Sequence, residues 1–334
     1  MHIAPSMTQI VITAPGGPEM LVPATVPTPL AGAGEILIKV EAAGINRPDV
    51  MQRQGVYPMP PGVTVVPGLE VAGHVVALGE GATGHQIGDR VCALTNGGGY
   101  AQYCAVPAGQ ALAVPKGMNL VSAAALPETF FTVWANLFGL GGAAQGDEVL
   151  IHGGASGIGT TALMLCHELG IMSHAVVSSE EKAALVRKLG GQPILRRSED
   201  ITETILTRTG GRGVDVILDI AGGPSLKSNI DALAQDGRLV MIGVMEGTVA
   251  DGIDVMKILA KRARITGSLM RARTVSEKSQ IASDLSKNVW PILDAGRCHP
   301  IVSATFDLEK ASDAHRAMET PSHAGKIILT VRHA

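Results

Sequence analysis

The sequence predicts an α/β protein with two domains, a β-rich, barrel-like domain first and a doubly wound parallel sheet second. Three observations indicate this fold class. The chain of 334 residues is long enough for two domains with a sizeable core. Its first third consists of short runs rich in Val, Ile and Ala that Gly and Pro interrupt. From residue 148 onward, apolar strand runs alternate with helical stretches, which requires crossover connections and a parallel sheet.

The individual elements follow in chain order from the apolar runs and the residues that interrupt them. In the first third, the predicted strands are 35–45, 71–79 and 90–94. In the second part, the predicted strands are 148–152, 174–178, 193–195, 214–220, 238–243 and 263–269. Helices are predicted at 180–189, 225–234 and about 275–295.

The end of the chain decides the domain boundaries. Two last strands, near 301–306 and 326–331, need a partner sheet, so we expect the chain to return to the first domain there. The predicted domains are therefore 1–128 together with 297–334, and 129–296.

Composition and charge limit the class of protein. Hydrophobic residues make up 46% and charged residues 17%, which is typical of a globular chain. The net charge of -3 gives no indication of nucleic acid or an anionic membrane as a partner. We see no leader peptide and no apolar run of about 18 residues. Four cysteines without a C-x-x-C pair are typical of buried, reduced thiols. We therefore expect a soluble, cytoplasmic protein.

The stretch VLIHGGASGIG has the form of a phosphate-binding turn. A strand precedes it, a helix follows it, and Ser156, Gly157, Ile158 and Gly159 form the start of that helix. Small residues let the backbone approach a pyrophosphate, and the helix N-terminus attracts its charge. The spacing G-x-x-x-G-x-G also fits short-chain dehydrogenases, which need Tyr-x-x-x-Lys downstream. All three tyrosines precede the turn and none has Lys four residues later, which disfavours that class.

The end of the next strand predicts which dinucleotide binds. An NAD-binding protein usually carries an acidic residue there to hold the ribose hydroxyls. This chain instead has Ser178 and Ser179, with Lys182 in the following helix, and Arg196 after the third strand. Hydroxyl groups and cations suit a 2′-phosphate, so the pattern favours NADP, as NADPH, over NAD. The alternative is an ordinary capped helix with a solvated, charged face.

Several motifs together resemble one known family. The segments 42–62, 67–91 and 267–273, together with IHGGASGIGTTA, resemble the zeta-crystallin-like quinone oxidoreductases of the medium-chain dehydrogenase/reductase superfamily. Ser156 in the glycine turn is similar to the stress-inducible branch. The resemblance covers the chain from about 9 to 331. It implies a GroES-like catalytic domain, a Rossmann domain that binds the dinucleotide, and a homodimer, in which we expect strand 263–268 to pair edge to edge.

The residues expected at the metal site argue against zinc. Relatives that use zinc hold it with a Cys and a His, at the positions where this chain has Asn46 and Leu69. Leu cannot bind a metal ion and Asn is a poor zinc ligand. The cysteines of the structural zinc lobe are also missing. We therefore expect no metal.

The resemblance also implies roles for individual residues. Asn46 is expected to face the nicotinamide, and Tyr57 to orient the acceptor or donate a hydrogen bond to it. Asp49 and Arg53 are expected to form a solvated, structural ion pair. The remaining cofactor contacts implied by the family are Thr132, Gly243, Met245, Ser268, Leu269, Met270 and Lys326.

These features predict an enzyme that reduces quinones or related conjugated carbonyls with NADPH and without metal. An electron-poor acceptor spreads the incoming negative charge itself, so positioning and hydrogen bonds suffice and no dedicated acid–base residue is required. Two alternatives stay open. One is a zinc-free enoyl or enone reductase of the same superfamily, and the other is a non-catalytic NADPH-binding protein with a structural, sensing or RNA-binding role.

Overall fold

The computed structural model describes residues 3–320 and 322–333. The chain folds into two units. The first unit is formed by the chain up to Phe131 together with the segment from Arg271 onward, and the second unit is Thr132–Met270. The first is mainly β and the second alternates strands with helices, so the predicted α/β class with two kinds of domain is confirmed.

The strands are β1 (Ser6–Ile12), β2 (Leu21–Pro27), β3 (Glu35–Ile45), β4 (Glu70–Leu78), β5 (Arg90–Leu94), β6 (Tyr103–Pro107), β7 (Ala111–Ala113), β8 (Glu148–His152), β9 (Met172–Val177), β10 (Gln192–Leu195), β11 (Val214–Asp219), β12 (Leu233–Met241), β13 (Arg264–Gly267), β14 (Val302–Asp307) and β15 (Lys326–Thr330). The α-helices are α1 (Arg47–Arg53), α2 (Leu120–Ala123), α3 (Pro127–Val133), α4 (Gly157–Glu168), α5 (Glu180–Lys188), α6 (Ile201–Arg208), α7 (Leu226–Ala232), α8 (Val255–Lys261), α9 (Val275–Asn288), α10 (Trp290–Asp294) and α11 (Ala311–Met318). A π-helix, Trp134–Leu140, follows α3.

The first unit is built around a seven-stranded sheet. Its strands are ordered β14-β15-β3-β4-β5-β7, and β6 also pairs with β3. Along β3, Ile36, Ile38 and Val40 belong to one core cluster while Leu37 belongs to another, as the two-residue period of a strand requires. β15 pairs with β3 so that Ile328 lies opposite Gly44, which confirms the predicted return of the chain to the first sheet.

The second unit is a doubly wound parallel sheet. Its six strands are ordered β10-β9-β8-β11-β12-β13. The chain starts in the middle at β8, moves outward to β10, and then returns to build β11 to β13 on the other side. Val149, Leu150 and Ile151 of β8 are fully buried, as expected of a central parallel strand with both faces covered. The order of the strands therefore reverses beside β8, and this is where dinucleotides bind in such sheets.

Residues 271–296 differ from the sequence prediction in two respects. They group with the first unit and not with the second, because Trp290 Nε1 donates to Ala113 O at 2.7 Å and Lys278 Nζ donates to Asn96 Oδ1. The predicted single helix is two helices, α9 and α10, with the interruption at Val289. Pro291 lacks the N–H that a continuous helix would use, which explains the break. None of the helices in the described part of the chain is long and apolar enough to cross a membrane.

Candidate active site

The glycine turn connects β8 to α4. Ser156 caps the helix, and its Oγ accepts a hydrogen bond from Gly159 N at 3.0 Å. This bond leaves the N–H groups of Gly157 and Ile158, the first two of the helix, without an intrahelical partner. The turn packs so tightly that a Cβ on Gly159 would lie 2.3 Å from Gly153 O, and Gly153 itself has φ +70°. A small, bare backbone surface with free N–H groups fits a pyrophosphate.

The other cofactor residues predicted in the second unit follow the ends of its parallel strands. Because all strands of this sheet run the same way, their last residues lie at one edge, which we call the carboxyl edge. Ser178, Ser179 and Lys182 follow β9, Arg196 follows β10, Gly243 and Met245 follow β12, and Ser268 and Leu269 follow β13. The structure therefore brings these residues to the same edge as the glycine turn.

Some side chains at the carboxyl edge already make hydrogen bonds or ion pairs within the protein. Ser179 caps α5 and its Oγ accepts from Lys182 N at 3.4 Å, while Ser178 is exposed. Partial burial lowers the pKa of Lys182. The Arg196 guanidinium is not free, because it forms an ion pair with the carboxylate of Glu246. The sequence did not predict a role for Glu246.

Thr132 and Met270 mark the two ends of the second unit and are both buried. The Thr132 hydroxyl oxygen has no hydrogen-bond partner within the described residues. Buried polar groups are nearly always paired, so an unpaired one suggests a missing ligand or water. The hydroxyl therefore fits a cofactor contact, as the resemblance implied.

In the first unit, Asn46 belongs to a buried polar cluster with Glu70 and Lys326. Asn46 Nδ2 donates to Glu70 Oε1 at 2.9 Å, and its Oδ1 accepts from Lys326 Nζ. The Lys326 ammonium also lies 2.6 Å from Glu70 Oε1 and donates to Ile45 O at 2.8 Å. The cluster is internally paired, because the one carboxylate and the one ammonium neutralise each other.

The lost metal position carries no set of zinc ligands. Leu69 is buried and has no ligand atom, and both ends of the Asn46 amide are engaged by Glu70 and Lys326. Within residues 3–320 and 322–333, no three His, Cys, Asp or Glu side chains come together as a metal ion would require. Leu69 and Asn46 therefore make a poor pair of ligands for a zinc ion.

Asp49 and Arg53 correct one sequence expectation. They were expected to be a solvated ion pair, but their exposed fractions are 0% and 1%, and each binds other partners. The Asp49 carboxylate accepts from Asn46 N and Gly68 N, each at 2.9 Å. Burial raises the pKa of Asp49 to about 6, although these two bonds oppose the shift. Asp49 therefore fixes the backbone at Asn46.

A chain of buried side chains continues from Asp49 to α11. The Tyr100 hydroxyl donates to Asp49 Oδ2 at 3.3 Å and lies 3.0 Å from His315 Nε2. His315 Nδ1 lies 3.3 Å from Arg53 Nη1, and the Arg53 guanidinium binds Glu319 through both carboxylate oxygens, at 2.9 and 3.1 Å. Burial, reinforced by the charge of Arg53, lowers the pKa of His315 to about 3, so the imidazole is neutral. The network anchors α1 to the C-terminal return.

Tyr57 lies in the loop after α1, under the side chain of Arg271. The guanidinium carbon is 5.3 Å from the centre of the ring, which is cation–π distance. Arg271 is held by Gln52 Oε1 at 2.8 Å and by Asn96 O at 2.6 and 2.9 Å. The Tyr57 hydroxyl has no hydrogen-bond partner in the described part of the chain, and the residue is only half-buried. Burial, and then the charge of Glu128, raise the pKa of Tyr57 to about 12, so the hydroxyl stays protonated and can donate.

Glu128 is a residue that the sequence interpretation missed. Its backbone N donates to Glu70 Oε2 at 2.9 Å, but its own half-buried carboxyl group makes no hydrogen bond or ion pair with any described residue. Burial, reinforced by the charge of Glu70, raises the pKa of Glu128 to about 8. An acid that is mostly protonated at neutral pH, close enough to act on Tyr57 and Lys278, is suited to proton transfer.

Comparisons with known proteins identify the family of the chain. Residues 32–116 match the alcohol dehydrogenase GroES-like domain, and residues 157–287 match the zinc-binding dehydrogenase family. The quinone oxidoreductase of Rattus norvegicus is 30% identical over 318 residues, which cover 94% of this chain and 94% of that protein. The solved structure of a mycobacterial protein complexed with NADPH superposes with TM-score 0.87 and 28% identity, covering 97% of this chain and 100% of that one. The structure of an NAD-dependent alcohol dehydrogenase gives TM-score 0.85 and 27% identity, over 98% and 100%.

The fold and the site define an oxidoreductase that uses a nicotinamide dinucleotide. More narrowly, the chain belongs to the medium-chain dehydrogenase/reductase superfamily, and the predicted resemblance to its quinone oxidoreductases is confirmed.

Proposed function

We propose that the protein reduces quinones or related conjugated carbonyls with NADPH and without a metal ion. The observation that carries this proposal is a pair of hydrogen-bond donors in the first unit, the Tyr57 hydroxyl and the Glu128 carboxyl, that are not engaged by other described residues. They accompany Asn46 and Leu69, which stand where zinc-using relatives carry their metal ligands. Such donors stabilise and protonate an oxyanion that an electron-poor acceptor already spreads over its conjugated system.

The residues of the second unit fit the cofactor. The N–H groups of Gly157 and Ile158 would hold the pyrophosphate, and Ser179 with Lys182 would hold the 2′-phosphate. When bound, NADPH supplies the hydride. The choice of NADPH over NADH is supported by the absence of an acidic residue at Ser178 and Ser179, where an NAD-binding protein usually has one.

Glu128 gives the reaction a proton source that the sequence interpretation did not include. Two-electron reduction of a quinone adds one hydride and one proton, and oxidises NADPH to NADP⁺. Glu128 would donate that proton to the acceptor oxygen and become a carboxylate, which solvent reprotonates. Tyr57 would donate a hydrogen bond to the same oxygen and remain protonated throughout.

The test is a titration with NADPH and with NADH, followed by turnover with a naphthoquinone and with an enoyl thioester. We expect tighter binding of NADPH, and turnover of the quinone. Turnover of the thioester alone would instead identify an enoyl reductase. If NADPH is oxidised no faster than in the absence of the protein, with every acceptor, the protein binds NADPH without catalysis.

We also propose that the protein is a homodimer. β13 is an edge strand of the six-stranded sheet, and the neighbouring helix α8 exposes Val255, Met256 and Leu259 by 60–65%. Open edges and apolar patches of this kind are usually covered. Light scattering should give twice the chain mass for the wild type and one chain mass for the double variant M256E/L259E. Leu30→Glu, a change at an exposed leucine of the first unit, is the matched control and should stay dimeric.

A cytoplasmic location completes the proposal. It is supported by the four cysteines of the sequence, all of which lie among the described residues, are buried and form no disulfide there, as is usual in a reducing compartment.

A further inference from the structure

The ion pair between Arg196 and Glu246 crosses the carboxyl edge of the second unit. Arg196 follows β10, and its backbone N donates to Val177 O, the last residue of β9, at 3.0 Å. Glu246 lies in the loop after β12, and its backbone N donates to Ala221 O, just past the end of β11, at 2.9 Å. Since β8 lies between β9 and β11 in the sheet, the pair spans the end of β8.

The end of β8 carries the glycine turn. Its last residue, His152, is buried, and its pKa is lowered first by burial and further by the positive charge of Arg196. This electrostatic influence agrees with the strand order, because it places the guanidinium near the start of the turn. Arg196, one of the two cations that the sequence assigns to the 2′-phosphate, thus lies at the dinucleotide edge, but it is neutralised by the carboxylate of Glu246.

We propose that Glu246 limits the selectivity for NADPH over NADH by competing with the 2′-phosphate of NADPH for Arg196. This inference rests on the proposed use of NADPH. Both anions suit the guanidinium, but a phosphate monoester carries more negative charge than a carboxylate and binds Arg in the same fork geometry. Binding of NADPH therefore exchanges one partner of Arg196 for a stronger one. NADH has no such group, so it leaves the ion pair in place.

The competition sets the direction and size of the effect of Glu246→Gln. The pair is partly exposed, with exposed fractions of 55% and 34%, and such pairs contribute little each. Removing the competitor should tighten binding of a 2′-phosphate by about two- to fivefold. Binding of a ligand without that phosphate should not change.

The experiment uses two adenosine probes on the full chain, adenosine 2′,5′-bisphosphate and adenosine 5′-monophosphate, with dissociation constants from isothermal titration calorimetry. Glu246→Gln should tighten the bisphosphate and leave the monophosphate unchanged. Glu203→Gln, which removes one exposed negative charge from α6, is the control for net charge and should change neither. In the R196Q background, Glu246→Gln should have no effect on either probe, because the residue acts through Arg196.

The outcomes separate this inference from the proposed function. If the wild type binds the bisphosphate no more tightly than the monophosphate, the use of NADPH is wrong. If it does discriminate but Glu246→Gln leaves the bisphosphate unchanged or weakens it, or tightens both probes equally, the competition is refuted and NADPH use stands. An effect of Glu246→Gln that persists in the R196Q background would also refute it.

Discussion

Replacing Glu128 by glutamine should change how the stability of the first unit depends on pH. The pKa of Glu128 is raised from 4.5 to about 8, chiefly by burial. The folded protein therefore keeps this proton between pH 4.5 and 8, while the unfolded chain releases it. Stability from this group is fully present below about pH 4.5, falls as the pH rises through that window, and is constant above about 8. Glutamine cannot ionise, so the variant lacks this decline.

The size of the effect follows from the shift. The difference between 8 and 4.5 is 3.5 pH units, and at about 1.4 kcal/mol per unit this is about 5 kcal/mol. Glu128 is only half-buried, and contact with solvent reduces the value. We expect the free energy of unfolding of E128Q, relative to the wild type, to rise by about 2–3 kcal/mol between pH 5 and pH 9.

The assay needs a signal from the first unit alone. The chain has two tryptophans, and Trp290 belongs to the first unit while Trp134 belongs to the second. In a W134F background, the fluorescence of Trp290 during urea denaturation reports on the first unit. Glu19→Gln, at an exposed acid of the same unit, is the control and should show no pH-dependent difference. A difference between E128Q and wild type that is equal at pH 5 and pH 9 would refute the desolvation of Glu128.

Other consequences can be measured with the same proteins. If Glu128 is the proton donor, kcat/KM for a naphthoquinone should fall above about pH 8 in the wild type, and in E128Q it should be lower and independent of pH. If E128Q shows the same decline as the wild type, the decline belongs to another ionisable group. Tyr100→Phe removes the hydroxyl between Asp49 and His315, so the free energy of unfolding that Trp290 fluorescence reports should fall by about 1–3 kcal/mol. An unchanged urea midpoint would argue against the network. Ser156→Ala should lower stability by about 1 kcal/mol through the lost cap of α4, seen as a lower Tm, and it should weaken NADPH binding.

Local sequence patterns predicted the elements well where one strand or helix decides its own form. The bounds of β3, β5 and β8 agree with the predicted strands, because an apolar run bounded by polar or small residues is a property of the segment itself. The boundary of the second unit is different. Whether α9 belongs to one unit or the other depends on bonds such as Lys278 to Asn96, which join residues 182 positions apart. No pattern within the helix shows that partner.

The same distinction separates the predicted site residues from those that were missed. The residues of the glycine turn are consecutive in the sequence, so a local motif predicts them. Arg53 instead pairs with Glu319, 266 positions away, and the expected ion pair with the nearby Asp49 was therefore wrong. Glu128 looks like an ordinary acid at a helix start, and only its burial in the fold, reinforced by the charge of Glu70, 58 residues away, gives it an unusual pKa. The role of Glu246 likewise depends on its ion pair with Arg196, which no local pattern shows. Motifs therefore identify where the backbone binds a cofactor, but which acids matter is decided by tertiary neighbours, because desolvation and charge act through space and not along the chain.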